Sequence, residues 1–326
     1  NLLNMSLFFS ENPEISIIVT THNSVRWIIN SLLSIIEQDS IPAEILVVDD
    51  GSTDKTHQMI QGIPFFIRFI QLPFFGGPSR ARAVGVNQAR SSLVAFCDDD
   101  DVWMPYKLKT QIKCFHEMPD VDVVFGDASV IDEQGVVIKE RLLDEYSSFR
   151  RILSPTNLYK TYVCDGKDVF KELIRANFIP TSSVAVRKQA INRVGGIDES
   201  IRNSDDRSLW FRLSSNGSRF AYIDYPIEAY RKRTNSISTR GWKRSEAQIK
   251  VLEEQRKKAR ACGCEKLLNQ RIYEILLSQG WGLNQNGYFK KAFISYMYSL
   301  RFGLRIAPLR GLVKCLFFFL RNNLLK

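Results

Sequence analysis

The stretch Leu93-Val-Ala-Phe-Cys-Asp-Asp-Asp-Asp-Val-Trp103 places four consecutive aspartates directly after an apolar run. The apolar part is typical of a buried strand. Four adjacent carboxylates repel one another unless a cation or a cationic ligand neutralises their charge. Acidic runs are more often solvated loops, but those lie in polar, low-complexity sequence, and here Trp103 follows closely. We therefore expect Asp98 to Asp101 to face a divalent cation at the end of a strand.

The residues before this stretch alternate between strand and helix patterns. Residues 15–20 and 45–48 are apolar, β-branched runs typical of central parallel strands, and residues 65–72 have the pattern of a third strand. Helical segments separate these strands, and Pro78 suits the first turn of the last helix. This βαβαβαβ order predicts an α/β fold with a doubly wound, mostly parallel, Rossmann-like sheet.

Three polar clusters follow the ends of predicted strands. They are Thr20-Thr21-His22-Asn23, Asp49-Asp50 and Asp98 to Asp101. Open parallel sheets bind ligands at the carboxyl ends of their strands, so the three clusters should meet in one crevice. This expected convergence is stronger evidence for a binding site than any single cluster.

The second half of the chain is less regular. Strands are predicted at residues 121–125, 128–131, 182–187, 220–223 and 227–230. Residues 139–176 are polar and irregular, and we interpret them as a mobile loop region. From Ser245 onward the pattern is helical, which predicts a C-terminal helical region.

Composition narrows the class of protein. With 44% hydrophobic and 25% charged residues, the 326-residue chain has the composition of a globular protein. It contains no apolar run long enough to predict a transmembrane span. The six cysteines form no Cys-x-x-Cys pair, which favours reduced thiols in the cytoplasm. No Gly-x-Gly-x-x-Gly follows the first strand, which argues against an NAD dehydrogenase.

The net charge of +10 is concentrated near the C-terminus. No acidic residue follows Glu274, whereas eight basic residues do: Lys290, Lys291, Arg301, Arg305, Arg310, Lys314, Arg321 and Lys326. They alternate with aromatic residues in helical sequence, which favours contact with an anionic membrane surface. Packing of this face on the main domain is an equal alternative. Nucleic-acid binding is not expected, because no recognised module accompanies the charge.

Taken in order, the motifs resemble those of the family 2 glycosyltransferases of the GT-A fold. The matching segments are Ile15-Ser-Ile-Ile-Val-Thr-Thr-His-Asn23, Ile45-Leu-Val-Val-Asp-Asp-Gly-Ser-Thr-Asp54, Ala81-Arg82 with Gly85, Ala95 to Trp103, Val194-Gly-Gly-Ile-Asp-Glu199, Asp205-Asp206 and Arg231 to Ser238. The resemblance implies a GT-A domain over residues 14–240, with a nucleotide-binding half (14–103) and an acceptor half (104–240). A basic helical region, 241–326, follows it.

The resemblance also implies roles for particular residues. The donor would be a nucleotide diphosphate-sugar, with a UDP-sugar favoured, and Mn²⁺ or Mg²⁺ would be bound by Asp98 and Asp100. A shift of this pair to Asp99 and Asp101 is the alternative. The residues expected to bind the nucleotide-sugar are Thr20, His22, Asn23, Asp50, Arg82, Asp98, Asp99, Arg233 and Ser236. A basic loop that is simply exposed is the alternative for the last two.

An inverting transfer needs a base, and the resemblance places it in the pair Asp205-Asp206, with Asp206 favoured. Capping of the following helix by Ser204 or Asp205 is the structural alternative. The expected enzyme is a metal-dependent glycosyltransferase at the cytoplasmic membrane face that builds a polysaccharide or glycolipid on a saccharide or lipid-linked acceptor. A nucleotidyltransferase and a non-catalytic nucleotide- or membrane-binding module are the alternatives.

Overall fold

The computed structural model describes residues 12–38, 43–234, 241–303 and 306–324. The chain divides into two compact units, Asn1–Arg233 and Thr234–Lys326. The first unit carries one mixed sheet flanked by helices, and the second is helical in its described part. The expected α/β class is therefore confirmed.

The sheet of the first unit has eleven strands, and nine of them lie in the order β3-β2-β1-β4-β10-β6-β11-β9-β8. Strand β5 pairs with β11, and β7 pairs with β6. The strands are β1 (Ile15–Thr21), β2 (Ala43–Asp49), β3 (Arg68–Gln71), β4 (Leu93–Asp98), β5 (Val102–Trp103), β6 (Val121–Ile131), β7 (Val137–Lys139), β8 (Ser154–Pro155), β9 (Thr161–Asp165), β10 (Ala185–Arg187) and β11 (Arg219–Arg231).

Strands β3, β2, β1 and β4 are parallel, and their register aligns the polar clusters. Thr20 pairs with Asp98 on one side and with Val48 on the other, while Thr21 pairs with Asp49. The apolar residues of β1, β2 and β4 are almost completely buried, as a strand covered on both faces requires. The carboxyl ends therefore meet at one edge, as the sequence predicts.

Seven helices flank the sheet within the described part of the first unit. They are α1 (Ile28–Ile36), α2 (Thr56–Gln61), α3 (Pro78–Gln88), α4 (Lys107–Glu117), α5 (Gly166–Arg175), α6 (Lys188–Arg193) and α7 (Asp205–Ser215). Pro78 lies in the first turn of α3, where its missing N–H leaves no hydrogen bond unmade. Three short 3₁₀ turns lie between β7 and β10, at Leu142–Glu145, Phe149–Ile152 and Thr181–Ser183.

Two expectations for the second half were wrong. The paired segments 121–125 with 128–131, and 220–223 with 227–230, are single strands, and β11 stays continuous through register shifts around Pro226. Residues 139–176 are not one loop, because they contain β8, β9 and α5. Strand β9 pairs with β11, and α5 buries Val169, Phe170, Leu173 and Ile174. Tertiary burial thus orders a segment whose composition is polar.

The described helices of the second unit are α8 (Gly241–Glu254), α9 (Arg256–Ala261), α10 (Glu265–Gln285), α11 (Phe289–Ser299) and α12 (Ile306–Leu324). Leu283, Ala292, Tyr296 and Cys315 form a small core between the last three helices. Gly280 and Gly311 approach the Tyr296 ring so closely that a Cβ at either position would collide with it. Within the described residues, no helix combines the length and the apolar character needed to cross a membrane.

Candidate active site

Arg82 of α3 connects the aspartate run, Asp98 to Asp101, to the acidic pair Asp205-Asp206. Its Nη2 lies 2.6 Å from Asp98 Oδ1, and its Nη1 lies 2.9 Å from Asp205 Oδ2. The Arg82 side chain is nearly fully buried, as is that of Asp205. Planar guanidinium groups suit such a bridge, because they present two separate donor edges to carboxylates. The structure thus brings together residues that lie 123 positions apart in sequence.

The aspartates of the run differ in the groups that they contact. Besides its ion pair with Arg82, Asp98 accepts a hydrogen bond from the Thr20 hydroxyl at 3.4 Å. Asp99 accepts the backbone N–H of His22 at 3.1 Å. Asp100 forms an ion pair with Arg233, whose Nε lies 2.6 Å from Oδ2.

Asp101 is held by hydrogen bonds at both oxygens. The Ser182 hydroxyl donates to Oδ2 at 2.5 Å, and the backbone N–H of Arg231 donates to Oδ1 at 2.9 Å. Asp101 is also 2% exposed. These contacts give Asp101 a structural role, because both of its oxygens are occupied by other parts of the fold.

Burial, together with the charges of neighbouring aspartates, raises the pKa values of Asp99, Asp100 and Asp101. Burial raises the pKa of Asp100 to about 7, the neighbouring charge of Asp99 adds to the rise, and Arg233 opposes it. Burial also raises the pKa of Asp101, with the charge of Asp100 as the next cause. The cations of the chain therefore do not fully compensate the negative charge at this strand end.

The acidic pair begins helix α7. Ser204, at φ +67°, has a left-handed conformation that a serine rarely adopts, and it makes no side-chain capping hydrogen bond. The two carboxylates of the first turn face different partners: Asp205 contacts Arg82, while Asp206 accepts hydrogen bonds from Asn177 and Thr181. Burial raises the pKa of Asp205 to about 6, although the charge of Arg82 lowers it. Capping by Ser204 therefore does not explain the pair.

Asp50 holds a glycine-containing loop at the end of β3. Its carboxylate accepts the backbone N–H groups of Phe75, Gly76 and Gly77, at 2.8, 2.9 and 3.2 Å. A Cβ at Gly77 would collide with the carbonyl oxygen of Arg202, so this close approach requires glycine. Asp50 thus shapes the rim of the crevice through the backbone.

His22 and Asn23 lie between the ends of β1 and β2. The His22 Nδ1 donates to the Asp50 carbonyl oxygen at 2.9 Å, which leaves Nε2 to accept from the Asn23 amide at 3.1 Å. The Asn23 oxygen accepts the backbone N–H of Thr53 at 2.8 Å. The His22 ring packs on Phe74, with 4.8 Å between ring centroids. Phe74 is 65% exposed, and no sequence motif singled it out.

Arg231, the last residue of β11, and Arg233, two residues after it, both contact the aspartate run. Arg231 Nε donates to the Asp100 carbonyl oxygen at 2.8 Å, and Arg233 pairs with the Asp100 side chain. The predicted basic loop therefore lies against the run at Arg233. Ser236 lies outside the described residues.

Two buried ionisable residues near the run, Lys107 and Glu228, belong to no motif that the sequence singled out. Lys107 and Glu228 are both fully buried, and within the described structure neither Glu228 oxygen has a hydrogen-bond partner. Burial lowers the pKa of Lys107 to about 7 and raises that of Glu228 to about 8, and the charge of each partner opposes the other's shift. Glu228 pairs with Trp103 across β11 and β5, which places its carboxyl group beside the run.

The donor set of the run fits a hard divalent cation. Asp98 Oδ2 accepts no hydrogen bond from the described residues, and carboxylate oxygens are ligands that Mg²⁺ and Mn²⁺ prefer. In the described part of the chain, no group of three or more acidic, histidine or cysteine side chains could hold an ion by itself. An ion here would need oxygens from a ligand as well, as Mg²⁺ often does with phosphates.

The chain matches the models of two related protein families. Glycosyl transferase family 2 matches residues 16–174, and Glycosyl transferase family group 2 matches residues 145–325. The chain belongs to glycosyltransferase family 2. The family 2 assignment confirms the expected family and the expected enzyme class.

Curated relatives of this family 2 chain include proteins of polysaccharide synthesis. Succinoglycan biosynthesis protein ExoO of Rhizobium meliloti is 26% identical over 227 residues, or 69% of this chain and 63% of that protein. The putative teichuronic acid biosynthesis glycosyltransferase TuaG of Bacillus subtilis is 25% identical, over 71% of this chain and 84% of that protein. The chain spans between 28% and 63% of the length of three of the curated relatives that it matches.

Solved structures show the same fold. Staphylococcus aureus TarS 1–349, solved with UDP-GlcNAc, has a TM-score of 0.61 at 20% identity, covering 89% of this chain and 81% of that one. The mannosyltransferase PcManGT of Pyrobaculum calidifontis, solved with GDP-Man and Mn²⁺, has a TM-score of 0.57 at 18% identity, covering 91% of this chain and 78% of that one. The expected GT-A fold is confirmed.

Proposed function

We propose that the protein is a metal-dependent, inverting glycosyltransferase that moves a sugar from a nucleotide diphosphate-sugar to a hydroxyl acceptor. The observation that carries this proposal is the buried Arg82 bridge between Asp98 and Asp205. One side chain thereby connects the residues proposed to hold the donor with those proposed to activate the acceptor. For this function we propose the domain limits expected from the sequence, which are a GT-A domain over residues 14–240 and a basic helical region over residues 241–326.

The donor side is proposed to use the residues at the strand ends. UDP-sugars are the favoured donors, and Arg233 and Ser236 are proposed to contact the diphosphate. The other donor-binding residues are Thr20, His22, Asn23, Asp50, Arg82, Asp98 and Asp99. Two of these side chains also accept hydrogen bonds from the backbone: Asp50 holds the loop at Gly77, and Asn23 holds the turn at Thr53.

Asp98 and Asp100 are the residues that would hold Mn²⁺ or Mg²⁺. The contacts of Asp101 with Ser182 and Arg231 favour this pair over Asp99 with Asp101. When bound, the ion would supply a Lewis acid that offsets the charge developing on the departing nucleoside diphosphate. The PcManGT structure with Mn²⁺ supports the use of a divalent ion.

Asp206 is proposed to be the general base that takes the proton of the acceptor hydroxyl. It is partly exposed at the start of α7, whereas Asp205 beside it is buried against Arg82. Asp205 is therefore proposed to fix the helix start to the donor side. The acceptor is proposed to be a saccharide or lipid-linked hydroxyl in polysaccharide or glycolipid synthesis, and the names of ExoO and TuaG support the polysaccharide.

The test is incubation of the protein with a panel of UDP-, GDP- and dTDP-sugars and Mn²⁺, with measurement of the nucleotide released. The proposal predicts release of a nucleoside diphosphate that stops when the metal is chelated. Release of pyrophosphate instead would identify a nucleotidyltransferase. Failure to bind any donor in the presence of metal would overturn the proposed function.

We also propose that the second unit contacts an anionic membrane surface at the cytoplasmic face. Several large apolar side chains of the last three helices are well exposed, among them Trp281 (64%), Ile294 (66%), Ile306 (68%) and Val313 (66%). On α12, the exposed Arg310 and Lys314 lie on the same helical face as Ile306 and Val313. Apolar side chains beside basic ones, without acidic neighbours after Glu274, suit anionic headgroups.

Liposome flotation tests this membrane contact. The proposal predicts that the protein floats with vesicles containing an anionic lipid and sediments with purely zwitterionic ones. The double variant Arg310→Gln, Lys314→Gln should weaken flotation, whereas Lys113→Gln with Lys167→Gln in the first unit should leave it unchanged. Flotation that is independent of lipid charge would contradict the electrostatic part of the proposal.

A further inference from the structure

One carboxylate oxygen of Asp206 receives two hydrogen bonds from a neighbouring segment. The Asn177 amide donates through Nδ2 to Oδ2 at 2.8 Å, and the Thr181 hydroxyl donates to the same oxygen at 3.3 Å. Among the described residues, no hydrogen bond to the other oxygen, Oδ1, is found. The two donors therefore fix the orientation of the carboxylate and leave Oδ1 to accept a proton.

The orientation of the Asn177 amide is set by Asp206. With Nδ2 directed at Asp206, Asn177 Oδ1 is buried and has no hydrogen-bond partner among the described residues. A buried carbonyl oxygen without a partner is unfavourable. Turning the amide over would direct that oxygen at an ionised carboxylate, which cannot donate a hydrogen bond. Asn177 thus keeps its hydrogen bond to Asp206 although its own Oδ1 then has no hydrogen-bond partner among the described residues.

The segment that carries these donors, residues 177–183, also touches the aspartate run. Its anchors Phe178 and Ile179 are almost completely buried. The Ser182 hydroxyl donates to Asp101 and accepts the backbone N–H of Asp98 at 2.9 Å. Residues 177–183 therefore form a second connection between the two acidic clusters, in addition to Arg82.

We propose that Asn177 and Thr181 are positioning residues for Asp206, and that residues 177–183 set its place relative to the aspartate run. This inference rests on the proposed function. Neutral donors fix a carboxylate without the strong preference for the ionised form that an arginine or lysine partner imposes. An amide and a hydroxyl are therefore suited to hold a group that must accept a proton during each turnover.

Matched variants separate positioning from folding. Thr181→Val removes the hydroxyl at nearly constant volume, and Thr181→Ser keeps it. Asn177→Leu replaces the amide by an apolar group of similar size.

The readout is nucleoside diphosphate release from UDP-GlcNAc or GDP-mannose with Mn²⁺, with water as the acceptor. We expect kcat to fall about 10- to 100-fold in Asn177→Leu and roughly 3- to 10-fold in Thr181→Val, with an unchanged KM for the donor. Thr181→Ser should resemble the wild type.

The deciding readout is the same pair of variants in an Asp206→Asn background. If Asn177 and Thr181 act through Asp206, their replacement should cause no further loss of kcat there. An equal loss in both backgrounds, or a Thr181→Val variant with wild-type kcat, would overturn this inference alone. If the wild type released no nucleoside diphosphate from any donor, the proposed function and this inference would both be overturned.

Discussion

The aspartate run and the acidic pair are both groups of adjacent carboxylates at the end or the start of a regular element, yet their partners differ. In the run, Asp98 and Asp100 each contact an arginine. In the pair, Asp205 contacts Arg82, whereas an amide and a hydroxyl hold Asp206. A cationic partner favours the ionised carboxylate, and neutral donors do so less strongly. This difference supports the proposal that the run binds the ligand and that Asp206 accepts the proton.

The largest expected effect is that of Asp206→Asn. The variant keeps the size of the side chain but cannot accept the proton, so turnover should fall about 10²- to 10⁴-fold. Donor binding should persist, because the residues of the run are unchanged. Steady-state nucleoside diphosphate release measures the first quantity. Turnover within a few-fold of the wild type would remove Asp206 from the role of base.

Arg82→Met tests whether the two clusters depend on one cation. The change leaves the buried Asp205 carboxylate without its counter-charge, which should lower the free energy of unfolding by roughly 3–5 kcal/mol. Arg82→Lys, which retains the charge but has one point of contact, should lose less. Urea denaturation followed by tryptophan fluorescence gives both values. Equal stabilities of all three proteins would contradict a bridging role.

Within the aspartate run, Asp101→Asn and Asp100→Asn should differ. Asp101 accepts hydrogen bonds at both oxygens, so its replacement should cost about 1–3 kcal/mol of stability. Asp100→Asn should instead remove the stimulation of turnover by Mn²⁺ with a smaller change in stability. Urea midpoints and Mn²⁺ titrations of activity separate the two effects. The reverse pattern would assign the metal to the alternative pair, Asp99 and Asp101.

A further prediction concerns the pH dependence of stability. Burial raises the pKa of Asp205 to about 6 from its ordinary value of 3.8, so the folded protein binds this proton more tightly than the unfolded chain does. The contribution of Asp205 to stability should therefore decrease as the pH rises from about 4 to about 6. The difference in unfolding free energy between wild type and Asp205→Asn, followed across this range, measures it. A constant difference would show that Asp205 ionises normally.

The sequence predicted the first half of the sheet well because its signals are local. Apolar runs, helix starts and the polar residues after each strand identify β1 to β4 and their common edge. The second half depends on distant pairs, such as β9 with β11, so the ordered segment that contains α5 was taken for a loop. Its apolar spacing at Val169, Phe170, Leu173 and Ile174 was the signal available.

The site was predictable in its residue types more than in their roles. Motif order singled out Asp50 and Asn23, but a pattern cannot show that a carboxylate or an amide is engaged by backbone N–H groups. Asn177 and Thr181 lie in no periodic or repeated pattern, and their importance arises from contact with Asp206 across 29 and 25 positions. Such contacts follow from the tertiary fold alone.

We propose that the aspartate run binds the nucleotide together with its metal ion, while Asp206 accepts the proton of the acceptor hydroxyl. Calorimetric titration of UDP and of GDP, with and without Mn²⁺, into wild type, Asp100→Asn and Asp206→Asn tests it most directly. We expect wild type and Asp206→Asn to bind one of the two nucleotides in a Mn²⁺-dependent manner, and Asp100→Asn to lose this binding. Equal loss of binding in both variants, or binding by all three without any effect of Mn²⁺, would contradict it.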